Sequence, residues 1–70
     1  MSIENLAKNI KEIRKANGLT QKEMAKRLGI GVSSLSKLEN GILPPRLTVD
    51  VLFIIERDFH IKVHRLFGEK

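Results

Sequence analysis

Three glycines, Gly18, Gly29 and Gly41, cut more than half of the chain into segments with room only for short helices, and this punctuation constrains the fold most. Ahead of Gly18, the residues Ile3, Leu6, Ile10 and Ile13 recur at spacings of three and four, which gives a helix one apolar face. Ser2 is placed to cap that helix and Gly18 to stop it. A second start follows in Thr20-Gln21-Lys22-Glu23, a capping box in which the Thr hydroxyl and the Glu carboxylate each take a backbone amide. Met24, Ala25 and Leu28 form its buried stripe, and Gly29 ends it after about two turns. The apolar pattern resumes with Val32, Leu35 and Leu38 and stops at Gly41.

Between Asn40 and Thr48 runs Gly-Ile-Leu-Pro-Pro-Arg-Leu, whose two prolines and glycine forbid a continuous helix. Thr48 then caps an apolar segment from Val49 to Phe59, with Asp50 in the first turn where the helix dipole favours negative charge. The β-branched residues from Val49 to Ile55 would also suit a strand, but the cap and the length of the segment favour a helix. Val63, Leu66 and Phe67 suggest a short fifth helix. The expected fold class is therefore all-α, with five helices forming one domain over residues 1–70. A chain of 70 residues hides only roughly 60% of its unfolded surface, so its core is small.

The longest apolar run, Val51 to Ile55, is far short of the roughly 20 residues that cross a bilayer. The N-terminus has neither the basic start nor the apolar stretch of a secretory signal, and cysteine is absent. The chain is accordingly read as cytoplasmic, with no membrane partner. Its net charge of +5 is unevenly placed. From Lys8 to Arg27, seven Lys and Arg face only Glu12 and Glu23, a local net charge of +5 that equals the total. Such a balance favours an anionic partner such as nucleic acid.

The two short helices within residues 20–40, joined at Gly29, have the outline of a helix-turn-helix. Ala25 is small where the helices cross, Gly29 is free to take positive φ, and Leu35 and Leu38 pack the second helix back onto the core. In this respect the segments Gly18 to Ala25 (GLTQKEMA), Leu28-Gly29-Ile30 and Leu35 to Gly41 (LSKLENG) resemble the Cro/repressor-type, or XRE, helix-turn-helix family. The resemblance covers nearly the whole chain. It implies a compact five-helix, lambda-repressor-like domain that binds double-stranded DNA and regulates transcription, as a repressor acting as a homodimer on a palindromic operator.

The resemblance also implies roles for individual residues. The helix that begins near Gly31 or Val32 would lie in the major groove, with Val32, Ser33, Ser36 and Lys37 at the base edges. Gln21, Ser34, Asn40 and the loop residue Arg46 fall at positions that resemble phosphate contacts. Arg14 and Glu39 match a structural ion pair that ties the first helix to the recognition helix. Two departures stand out: Gly31 replaces the usual Ser or Thr cap of the recognition helix, and Val32 replaces a polar base-reading side chain. In the fourth helix the family pattern turns Val49, Leu52, Phe53 and Ile55 inward. That leaves Val51 and Ile54 outside, where they would join Ile42 and Leu43 in a dimer interface.

Other chemistry is poorly provided for. His60 and His64 are four residues apart, as in a zinc-binding helix, but a helix break falls between them and cysteine ligands are lacking. No metal or cofactor is expected. No nucleophile with its base, phosphate-cradling loop or carboxylate pair is apparent, so no enzymatic activity is expected. The alternative to a DNA-binding regulator is an antitoxin-like interaction module, whose apolar fourth and fifth helices hold a toxin or other protein partner.

Overall fold

The computed structural model describes residues 3–44 and 49–68. Five helices follow one another: α1 (Ile3–Ala16), α2 (Gln21–Leu28), α3 (Val32–Glu39), α4 (Val49–Phe59) and α5 (Val63–Leu66). Among the described residues there is no strand, so the all-α, five-helix expectation holds. No described helix is long and apolar enough to cross a membrane. Three expected features, the Ser2 cap, the Thr48 cap and the position of Arg46, lie outside the described residues.

The core is assembled from every helix. Leu6, Ile10 and Ile13 of α1 meet Met24, Ala25 and Leu28 of α2, Leu35 and Leu38 of α3, Val51 and Ile55 of α4, and Leu66 of α5. Fully burying one such large side chain contributes about 1.5–3 kcal/mol. Ile3 packs against this cluster while remaining partly exposed.

Local chemistry sets the helix ends. Glu23 donates its backbone N–H to Thr20 Oγ1 at 3.1 Å, and Thr20 donates its own N–H to the Glu23 carboxylate at 2.9 Å. The Thr20 N–H, and after it the Thr20 hydroxyl, hold the Glu23 carboxyl below its ordinary value of 4.5. At the other end of α2, Gly29 takes φ 71°, a left-handed conformation that is free of strain only without a side chain. The Ile30 N–H then reaches back to the Ala25 carbonyl at 3.0 Å, a Schellman closure. The same step of five residues closes α1, from Leu19 to Arg14, and α3, from Ile42 to Lys37.

The α4 register departs from expectation. Val51 and Ile55, one turn apart, are buried, whereas Val49 and Phe53 are 64% and 58% exposed. Leu52, Ile54 and Phe59 are partly buried against the core. Val51 therefore does not belong to an open interface, and Val49 and Phe53 do not face inward. The physical reason lies in α4's own charges: Asp50 and Arg57 fall within about 20° of each other on the side opposite Val51, Leu52, Ile55 and Phe59. The register taken from the family pattern gives way to the helix's own periodicity, and that apolar side packs against α2 and α5.

Helix α5, with four residues, is far too short to persist alone. Side chains from other helices hold both of its ends. The Val63 N–H donates to the Glu56 carboxylate of α4 at 2.9 Å. At the C-terminal end, Asn9 Nδ2 of α1 donates to the carbonyls of Leu66 at 2.8 Å and Gly68 at 3.0 Å. Asn9 is itself 5% exposed. Replacing it with alanine is expected to cost about 2 kcal/mol, because carbonyls around the buried amide lose their donor. In a domain of this size the midpoint of thermal unfolding, followed by circular dichroism, should fall by roughly 8–16 °C. A fall of less than about 3 °C would show that water replaces the amide at little cost.

Between α4 and α5, His60 adopts φ 58°, the one positive φ among described residues other than glycine. Such a conformation costs a non-glycine residue about 1–2 kcal/mol. It turns the chain sharply enough for α5 to fold back against α1.

Candidate nucleic-acid interface

Helix α3 divides cleanly into two sides. Leu35, Leu38 and Glu39 are buried, whereas Val32, Ser33 and Lys37 are exposed and Ser36 is half-buried. At 100° per residue these last four residues occupy an arc of about 140° opposite the two leucines. The four residues expected to face bases therefore share one outward side of a helix whose other side is anchored in the core. Ser34 lies about 60° beyond this arc, between Lys37 and Leu38, and is half-buried. At its N-terminus α3 begins after Gly31, and no side chain caps it.

Three helices are tied together beneath that surface. Arg14 of α1 donates from Nε to Glu39 Oε2 at 2.8 Å and from Nη2 to Oε1 at 3.2 Å. A third donor, Arg14 Nη1, reaches the Leu19 carbonyl at 3.1 Å in the loop before α2. Only 12% of the Arg14 side chain and 2% of the Glu39 side chain remain exposed. The planar guanidinium matches the carboxylate with two parallel bonds, a geometry that lysine cannot copy.

The Glu39 carboxylate accepts a further bond from Gln21 Nε2 at 3.2 Å. Gln21 is the first residue of α2, so α1, α2 and α3 converge on a single carboxylate. This link was not evident from sequence, where Gln21 read as a phosphate-contacting position and not as a partner of Glu39. Asn40, just past α3, turns its Nδ2 back onto the Ser36 carbonyl at 2.7 Å and remains exposed.

The remaining expected site residues lie apart. Ile42 and Leu43, in the loop after α3, are 57% and 52% exposed, and Ile54 is half-buried on α4. His60 lies just past the end of α4 and His64 lies within α5, so the two histidines do not share a helix. Sequence reasoning overlooked Asn9 and Glu56. Asn9 did carry a signal, because it is a polar residue set on the apolar face between Leu6 and Ile10 and therefore must find partners inside.

Comparison with known proteins places these features. A helix-turn-helix family model matches residues 10–66. Antitoxin PezA from Streptococcus pneumoniae serotype 4 is 38% identical over 64 residues, covering 91% of this chain and 39% of that protein. The chain thus spans well under half the length of that relative. The N-terminal DNA binding domain of SinR from Bacillus subtilis has a TM-score of 0.74 at 29% identity, with 93% of each chain covered. The restriction-modification controller protein C.AhdI from Aeromonas hydrophila shares the fold, with a TM-score of 0.75 at 22% identity over 93% of this chain and 96% of that one. The buried seam of α2 and α3, the left-handed Gly29 between them and the match over residues 10–66 lead to one assignment: the chain belongs to the XRE-type helix-turn-helix family of DNA-binding transcription regulators.

Proposed function

We propose that this protein is a sequence-specific regulator that represses transcription by binding a palindromic operator in double-stranded DNA as a homodimer. The observation that carries this reading is the outward arc of Val32, Ser33, Ser36 and Lys37 on a helix whose inner side is clamped by Arg14, Gln21 and Glu39. Set in the major groove, α3 brings Lys37 to the O6 and N7 atoms of guanine and Val32 to a thymine methyl, with Ser33 and Ser36 beside them. Gln21, Ser34, Asn40 and Arg46 contact phosphates and fix orientation rather than sequence. In this reading residues 1–70 act as one DNA-binding unit, with 20–40 as its helix-turn-helix. Pairing of two copies uses Ile42, Leu43 and Ile54 together with the exposed Val49 and Phe53. It sets two α3 helices about 34 Å apart, on successive faces of the major groove.

Selection of bound duplexes from a random library at about 150 mM salt tests this reading, since binding carried by phosphates alone weakens steeply with salt. A two-fold symmetric motif is expected. On the selected site, Lys37→Ala should weaken binding by about 1–3 kcal/mol and relax base choice, whereas Gln21→Ala should weaken all sequences alike. Equal losses for Lys37→Ala on selected and random duplexes would remove Lys37 from base recognition.

The identity with antitoxin PezA favours a second reading, in which the chain also holds a toxin as protein partner. A gene for a small toxic protein beside this one, and a stable complex of the two products, would support it.

A further inference from the structure

A groove of about 580 Å³ opens between α1 and the turn that joins α4 to α5. That size lies within the range of roughly 300–1,000 Å³ usual for ligand sites. Its apolar floor is Ile13, Ile61 and Leu66. Around the rim stand His60, Lys62, His64 and Arg65, all exposed, and no Asp or Glu is among its described lining residues. The two carboxylates in the C-terminal half of the adjoining helix are already engaged. Glu56 accepts the Val63 N–H at 2.9 Å, and Asp58, which feels the charge of His60, pairs with Arg57 at 2.8 Å. None of the four rim side chains forms a hydrogen bond or ion pair with a described residue. The lip of the groove is the left-handed His60, a position that glycine would occupy without strain but where the chain instead presents an imidazole.

The groove is also separate from the DNA-reading surface. On α1, Asn9 borders the groove and Arg14 faces Glu39 of α3. Five residues apart, these two positions differ by about 140° around the helix. A molecule in the groove therefore leaves the outward arc of α3 free.

We propose that this groove docks an acidic segment of a protein partner. One apolar side chain of the segment rests on the floor at Ile61, and its carboxylates meet Lys62, Arg65 and the two imidazoles. Charge complementarity selects the partner: among the described residues the rim carries Lys62 and Arg65 with no lining carboxylate, and the apolar floor gives a peptide an anchor that a phosphate backbone lacks. The inference is independent of the DNA-binding proposal.

The test is a titration of the ¹⁵N-labelled protein with a short synthetic peptide of Asp and Glu flanking a single Leu. Saturable binding is expected, with amide shifts at Ile13 and across His60 to Leu66 and none from Val32 to Lys37. Lys62→Glu/Arg65→Glu should weaken binding at least about tenfold, whereas Lys11→Glu/Lys15→Glu, the same charge change on the exposed side of α1, should weaken it less than about twofold. Should the first variant fail to fold, Lys62→Ala/Arg65→Ala takes its place, with at least about a fivefold loss expected. Equal weakening by the two charge reversals, shifts spread over α1 or α3, or no saturable binding would overturn the proposal. So would shifts of the groove amides on adding random-sequence duplex DNA, which would make the groove a nucleic-acid surface.

Discussion

Glu39→Ala is expected to lower stability by about 3–5 kcal/mol, since it leaves the Arg14 guanidinium nearly buried with no counter-charge. A 70-residue domain has roughly 3.5–10 kcal/mol in total, so the variant should sit close to unfolding at room temperature. Its thermal midpoint should fall by at least about 12 °C. Arg14→Ala should cost a comparable amount for the mirror-image reason. It strands the buried Glu39 carboxylate with Gln21 as its remaining side-chain partner and frees the Leu19 carbonyl. The double replacement Arg14→Met/Glu39→Met should cost less than either single change, because no lone charge then remains inside. Denaturant melts compare these variants with the parent protein, and Arg14→Met and Glu39→Met made singly close the double-mutant cycle of the double replacement. Single losses below about 1 kcal/mol would mean that the pair behaves like an exposed one and does not hold the three helices together. DNA affinity should be compared only among variants that remain folded, since loss of the clamp removes binding by melting the reading surface rather than by removing a contact.

The second large effect separates the two sides of α4. Val51→Asp places a carboxylate at a site 3% exposed, among core side chains, and should cost at least about 4 kcal/mol. That is enough to leave much of the protein unfolded at 25 °C. Phe53→Asp, two residues along and 58% exposed, should change the stability of the monomer by less than about 0.5–1 kcal/mol. Under the proposed pairing of two copies, the same Phe53→Asp change should shift the protein towards monomer in equilibrium sedimentation. Circular dichroism of both variants decides the register: a folded Val51→Asp beside an unfolded Phe53→Asp would reverse it.

Most of the helix pattern is legible in the residues themselves because its causes are local. The Thr20–Glu23 box, the stop at Gly29 and the α1 stripe of Leu6, Ile10 and Ile13 each depend on neighbours within about two turns, and each stands in the structure as expected. The outward arc of α3 follows from the same periodicity, since Leu35 and Leu38 must turn inward and Val32, Ser33 and Lys37 then turn out. Helix α4 has Val, Leu, Ile or Phe at seven of its 11 positions, and there the family pattern misled. It turned Val49 and Phe53 inward, whereas the helix's own charges, Asp50 and Arg57, mark the opposite side, that of Val51, Leu52, Ile55 and Phe59, as the one to bury.

The sequence by itself determined both ends of α2, the glycine closures after α1 and α3 and which side of α3 is free, since capping, glycine closure and 3.6-residue periodicity act over a few residues. Only the tertiary structure decided the convergence of Arg14, Gln21 and Glu39 and the clamping of α5 by Asn9 and Glu56. Those contacts join residues up to 59 positions apart. A side chain's partner at that separation is set by how whole helices pack, which no local pattern of residues encodes.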